Sequence, residues 1–349
     1  FGSSHVDLNG SWRRPLAHRT SLRIAEEASQ SMAASRAFGG LLGLLACHGG
    51  AGLLAVRTSP GPESFSTSLR ELPPEERLKK VLPLGWVHVP KVGATFMNAV
   101  MHLPGVCPTL KKEWLCSRRN PTCSILQFQK LGATSRFGHK ELVPETCPGV
   151  GKWGFHFGMA TEYEHGLKGR AFAMFRQPEQ RLISAFYNPG SAHGWNYSLG
   201  KPSMVEYAEV AQGTAVRLLT RDSSHMDHRP PTDAEVRSAV KHLREGFAFV
   251  GLTERYELSI CLLHAMFGGQ CDGREFSVFH TGSRHRRKEY DIAPLKGFRD
   301  RADGAVYSEA VRIFEDNLKA YNVSMETCRP CFRQARLSSS QLKRRSGPA

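Results

Sequence analysis

The chain has 349 residues, enough for one α/β domain of about 250 residues plus appendages. Hydrophobic residues make up 40% and charged residues 23%, which excludes a wholly disordered or fibrous chain. A formal net charge of +15 and an isoelectric point near 9.6 attract anions or simply serve solubility, and charge alone does not choose among nucleic acid, an anionic polysaccharide, an acidic membrane face and a phosphorylated cofactor.

Residues 1–31 show neither a 3.6-residue nor a 2-residue period and read as a disordered or upstream segment. From Met32 the pattern changes. Arg36 precedes Ala37 to Val56, twenty residues without formal charge, so 32–57 has the layout of a signal peptide or a type II signal anchor. Residues 58–80 open on TSPGPESFST and read as a stem or linker.

The next run, LGWVHV at 84–89, is apolar and β-biased. A turn containing Gly93 follows, and then TFMNAVMH at 95–102, which has helical composition. Residues 107–150 hold four cysteines and many turn formers, the signature of a disulfide-tied insertion. AFAMF at 171–175 predicts a buried strand, followed by Arg176 and a helix over 178–187 with Pro178 in its first turn. FAFVGL at 247–252 predicts another strand, leading through the N-cap candidate Thr253 to a helix ending near Phe267. The last predicted helix covers 305–321, with Val306, Ala310, Ile313, Phe314 and Leu318 on one face. Strands alternating with helices predict an α/β fold: a central parallel sheet flanked by helices over 81–325, with a basic tail at 326–349.

Nine cysteines are present, and all but Cys47 lie outside the apolar N-terminal stretch, so four disulfides are available to an exported chain. Cys261 and Cys271 flank a helix end and a Gly-Gly turn and are expected to pair locally. Cys328-x-x-Cys331 supplies only half of a zinc site, and no second pair at finger spacing accompanies it. Asn196-Tyr-Ser and Asn322-Val-Ser are glycosylation sequons if the chain enters the secretory lumen.

The chemistry concentrates in two places. Lys91-Val92-Gly93-Ala94-Thr95-Phe96 links a strand to a helix start. Its amides, the glycine turn, a threonine hydroxyl and a full positive charge suit an anion. The lysine precedes the glycine, so this is not the GxxxxGK[ST] loop of a nucleotide triphosphatase. The second place is Arg176-Gln-Pro-Glu-Gln-Arg-Leu-Ile-Ser184-Ala. It puts a guanidinium at a strand end and a hydroxyl two helical turns on, and a planar guanidinium binds two phosphate oxygens at once.

The first segment resembles the 5′-phosphosulfate loop of the Golgi membrane-associated carbohydrate sulfotransferases, those acting on heparan, chondroitin and related glycans. Pro90, Lys91, Gly93 and Thr95 agree with that pattern, while Ala94 replaces a frequent glycine and Phe96 a frequent serine. The second segment is similar to the family's 3′-phosphate motif through Arg176, Pro178, Arg181, Ser184 and Ala185, with Gln177 in place of the usual acid. FVGLTERY at 249–256 is similar to a third family segment.

The resemblance implies a P-loop-like sulfotransferase fold and transfer of a sulfuryl group from 3′-phosphoadenylyl sulfate (PAPS) to a hydroxyl, without a metal. Lys91 through Phe96 would hold the 5′ end, and Arg176 with Ser184 the 3′-phosphate, leaving Arg181 structural. Arg284 and Arg286, in the charge run SRHRRK, fall where the family's late loop covers the nucleotide or meets an anionic acceptor. Lys91 would stabilise the leaving oxygen, and His156 in KWGFHFG is the candidate general base, with His88 and His139 as competitors. The implied partners are a glycan or other hydroxyl acceptor, not nucleic acid, and a membrane through the N-terminal anchor. The implied location is the Golgi lumen or membrane. Two other readings stay open at this point: a non-catalytic binder of anionic glycans on the same fold, and a kinase-like nucleotide enzyme, which lacks its phosphate and Mg²⁺ motifs here.

Overall fold

The computed structural model describes residues 69–109, 139–140, 147–187, 200–276 and 290–337, with the backbone alone for 139–140 and 152–155. All belong to the unit Ser59–Ala349. The apolar stretch at 37–56, Cys116, Cys123, Asn196, Arg284 and Arg286 lie outside the described residues.

Among the described residues five strands form one sheet: β1 (Leu84–His88), β2 (His139–Lys140), β3 (Val150–Phe155), β4 (Ala171–Phe175) and β5 (Phe247–Leu252). Their order across the sheet is β2-β3-β1-β4-β5. β3, β1, β4 and β5 run parallel, and only the two-residue β2 is antiparallel, on β3. The predicted parallel sheet is therefore present. β1, β4 and β5 are buried at every position, as continuous apolar runs in a sheet covered on both faces must be.

Helices α1 (Pro74–Val81), α2 (Met97–His102), α3 (Pro178–Phe186), α4 (Met204–Ala211), α5 (Thr214–Thr220), α6 (Asp233–Gly246), α7 (Tyr256–Phe267), α8 (Arg301–Ala320) and α9 (Arg329–Gln334) flank it. α8 packs on α6 and β5, and α7 on β5 and α1. α4 and α6 both begin in capping boxes, Ser203 with Glu206 and Thr232 with Glu235, each satisfying two amides that a helix start leaves open. Phe96 sits at the centre of the core. It is fully buried and stacks on Trp86 at 6.0 Å and on Phe249 at 5.3 Å.

Several sequence expectations change. The stem ends before residue 69: Leu69, Leu78 and Val81 are core residues, and Arg77 donates to the Leu72 and Met266 carbonyls. The fold also continues past 325. α9 carries the buried Phe332, so residues 326–337 are part of the domain and not a tail. Cys261 does not pair with Cys271. The bonds are Cys261–Cys328 and Cys271–Cys331, which tie the start of α9 to the middle of α7 and to the turn that follows it. The local pairing fails because α7 ends between the two cysteines, whereas α9 comes back over that end and meets both. With both of its cysteines in disulfides, the CxxC pair offers no thiolate to a zinc ion. Cys107–Cys147 closes the expected insertion across a separation of 40 residues. The three disulfides among the described residues are what an oxidising compartment permits. Among the described residues no helix is long and apolar enough to cross a membrane.

Candidate functional site

Strand order fixes where a site can form. β1 pairs with β3 on one side and β4 on the other, so the chain's connections leave β1 in opposite directions. In open parallel sheets that reversal opens a crevice beyond the carboxyl ends of the two strands. The residues after β1 are Val89 to Gly93, and those after β4 are Arg176 and Gln177. Lys91 and Arg176, 85 positions apart in sequence, meet there: an Arg176 Nη1–H donates to the Lys91 carbonyl at 3.3 Å.

The loop after β1 is a tight turn. Lys91 has φ +69° and Gly93 φ +94°, both in the left-handed region. Gly93 takes this conformation at no steric cost, and Lys91 does so with strain. Thr253, following β5, anchors the turn by donating its hydroxyl to the Val92 carbonyl at 2.6 Å, and its amide donates to Phe175 at 2.9 Å. Thr253 is thus not the cap of α7, whose first flanking residue is Arg255. It joins three strand ends, a role that sequence reading missed because the residue resembles a helix start.

The cations in the crevice have an electrostatic consequence. Burial, and then the Arg176 charge, lower the Lys91 ammonium from its ordinary value of 10.5 to about 8. Arg176 is itself pulled down by burial, with Glu254 and Tyr290 opposing that shift, and its guanidinium lies 5.4 Å from the Tyr290 ring centroid. Tyr290 is held by the Gln180 side-chain amide, which donates to its carbonyl at 2.9 Å and accepts from its amide at 2.7 Å. No carboxylate contributes to the Lys91 shift. Two desolvated cations without a shared counter-ion oppose folding, and a multiply charged anion between them relieves that opposition.

The sign of the pH effect follows. Because the folded ammonium releases its proton before the unfolded one, the cost of the buried charge is fully present below about pH 8 and relieved as pH rises toward 10.5. Anion affinity runs the other way. If the protonated lysine is needed, binding of 3′,5′-ADP weakens about fivefold from pH 8 to pH 9 and about tenfold per unit beyond. Titration calorimetry across that range checks this, and Lys91→Arg is expected to flatten the alkaline limb because a guanidinium stays charged.

The remaining loop residues divide. Val92 and Phe96 turn their side chains into the core, and the Phe96 amide donates to the Gly93 carbonyl at 3.0 Å. Of these two residues, only the backbone faces the loop. Ala94 opens a single 3₁₀ turn, Ala94–Phe96, before α2, which has only six residues. The predicted helix start is therefore short, and positive charge at the site rests on Lys91 and Arg176 rather than on a helix dipole. Thr95 Oγ1 lies 3.2 Å from the Tyr256 hydroxyl, which donates to the Glu275 carbonyl at 3.3 Å, so the Thr95 proton is directed to Tyr256.

After β4, Gln177 caps α3 through its side chain, which accepts from the Gln180 amide at 2.7 Å. Arg181 is structural, as expected: 3% exposed, 3.1 Å from Asp303 and 3.7 Å from Asp300. Ser184 is buried on α3, between one and two turns past Pro178, and among the described residues no hydrogen bond joins it to Arg176.

His156 directly follows β3, next to β1, and its ring stacks on that of His88 at 4.9 Å. Both are buried. A third ring, His225, meets His156 edge-on at 4.8 Å. His139 lies on β2, opposite Gly154. The carboxyl edge of the sheet thus gathers His156, Lys91 and Arg176 from the ends of the neighbouring strands β3, β1 and β4. Chemically this places two cations and a histidine at one edge of the sheet, a grouping suited to an anion. Among the described residues no group of His, Cys, Asp and Glu is arranged to hold a metal ion. No family model matches the chain, and neither a curated protein nor a solved structure does.

Proposed function

We propose that the chain is a PAPS-dependent sulfotransferase of the secretory pathway, acting in the Golgi on a hydroxyl acceptor that is a glycan. The observation that carries this reading is the meeting of Lys91 and Arg176 at the switch point of the parallel sheet, two desolvated cations with no carboxylate acting on the lysine. A donor with phosphate at both the 3′ and 5′ positions fits two cations on adjacent strand ends better than a single phosphate does. The sequence motifs around them supply the family resemblance.

In this reading the Lys91-to-Thr95 loop holds the 5′ end through its backbone, and Arg176 with Ser184 holds the 3′-phosphate. Lys91 stabilises the charge growing on the bridging oxygen as the bond from that oxygen to sulfur breaks. His156 takes the proton of the acceptor hydroxyl as its oxygen bonds to sulfur. Arg284 and Arg286 border the nucleotide or the acceptor. Such catalysis is mainly positioning plus preorganised positive charge, and it needs no covalent intermediate. Incubation of the full chain with radiolabelled PAPS and a panel of desulfated glycans is expected to label one acceptor class. Retention on immobilised 3′,5′-ADP without transfer to any acceptor would select the non-catalytic glycan-binding reading instead.

A further inference from the structure

The histidine row at the carboxyl edge extends beyond the one residue that the sequence motif singles out. His88 is the last residue of β1 and lies opposite Phe155, so His156 is the next residue along the neighbouring strand. His156 adopts φ +61°, which few non-glycine residues use, and this brings its ring flat against His88 at an interplanar angle of 18°. Behind His88 stands the fully buried Trp86, stacked at 6.2 Å. On the open side the His225 ring meets His156 at 68°, and the His225 amide donates to the His156 carbonyl at 2.9 Å.

The segment carrying His225 is built to hold that position. Phe157 bridges Ser224, and the Gly158 amide donates to Ser223 at 2.8 Å. A Cβ on Gly158 would lie 1.7 Å from the Arg221 carbonyl oxygen, so only glycine permits the approach. Arg221 then ties the loop down, at 2.6 Å to Glu235, 3.1 Å to Asp227 and 3.0 Å to the Arg229 carbonyl.

We propose that His225 positions His156 and is the second station for the proton that His156 removes, with His88 fixing the ring plane from the opposite face; the catalytic meaning rests on the sulfuryl-transfer reading above. Three imidazoles in line are a poor way to fill a core, since apolar rings would pack there without polar atoms to bury. Their exposure instead rises from His88 at 4% through His156 at 8% to the partly exposed His225, a path from the core to water.

The step balances. The acceptor O–H breaks as its oxygen bonds to sulfur, the proton forms an N–H on His156, and it passes to His225 and on to solvent. Burial holds His225 below the usual histidine range; a hydrogen bond to the His156 backbone opposes this, and the nearby His228 and Arg217 push it down further. Asp227 is engaged by Arg229 and Arg221, and Lys91 lies three residues beyond His88. His225 is therefore neutral at neutral pH, and it takes up a proton only briefly.

The test uses imidazole NMR titration of the full chain, wild type and His225→Phe, alongside transfer kinetics. The His156 midpoint is expected to move by about half a pH unit in His225→Phe, while the exposed His165 does not move. The expected loss in kcat is about ten- to hundredfold, with the KM for PAPS and retention on 3′,5′-ADP unchanged. Added imidazole is expected to restore part of the rate to His225→Ala, which a purely structural role would not allow. An unmoved His156 midpoint overturns the coupling whether or not the chain transfers sulfate. An unchanged kcat overturns the relay. A wild-type chain that transfers nothing defeats the sulfotransferase reading, and the NMR arm still decides the coupling.

Discussion

Replacing Lys91 and Arg176 together by alanine is expected to abolish retention on immobilised 3′,5′-ADP without unfolding the protein. Each cation, desolvated before the ligand arrives, makes charge-assisted hydrogen bonds worth about 1.5–3 kcal/mol, so losing both removes about 3–6 kcal/mol. That is roughly two to four powers of ten in Kd. The effect on stability should be small or favourable, because the Lys91 shift records a charge that folding has to desolvate beside another. Arg176 gives up a hydrogen bond to a carbonyl, its contact with Tyr290 and the attraction of Glu254, which offset part of that gain. Affinity chromatography paired with thermal melts separates the two effects. Normal retention by the double variant would sink the site.

The second large effect is on the fold. Asp303→Ala is expected to destabilise the domain by about 3–5 kcal/mol, a large share of the stability of a typical domain. Asp303 is 3% exposed. It accepts from Arg181 at 3.1 Å and from the Ala215 and Val216 amides at 3.1 Å, so it binds α8 to α3 and to the start of α5. Without it, Arg181 keeps the Ala211 carbonyl at 3.1 Å, and its nearest carboxylate is Asp300, at 3.7 Å. Burial and the Asp303 charge push the Asp300 carboxyl up, and Arg181 opposes this. Asp300 also accepts from the Gly213 amide at 2.9 Å, and its own amide donates to Glu179 at 3.1 Å, so the network reaches back to the turn that holds Arg176. Urea unfolding measures the loss. The double variant Asp303→Ala, Arg181→Met should recover part of it, since the buried guanidinium is no longer left without its nearest carboxylate, although Asp300 then loses its cation. Equal destabilisation of single and double variants would show that capping of α5, not charge pairing, dominates.

Both effects start from features visible in the chain. AFAMF and FAFVGL fixed β4 and β5 because strands buried on both faces must be apolar throughout, and that is a property of consecutive residues. The same local logic marked Lys91 and Arg176 as strand-end residues, Gly93 as the turn, and Pro178 as the first residue of α3. Ser203 and Thr232, each with a glutamate three residues on, carry start signals for α4 and α6 that the sequence reading passed over.

What lay beyond local pattern depended on which distant segments meet. Nothing near Cys261 announces Cys328, because the two are 67 residues apart, with all of α8 between them. Phe96 reads as a lost hydroxyl in a phosphate loop, yet its ring fills the space between Trp86 and Phe249. His225 sits in a loop without a motif, and only the glycine contact at Gly158 and the Arg221 tether bring it to His156. The sequence by itself determined a basic α/β chain with two cationic strand ends, since charge, apolar runs and turn residues act over a few positions. Only the tertiary structure decided that those ends face each other across β1 and β4, because strand order is set by burial of the whole sheet at once and not by any one segment.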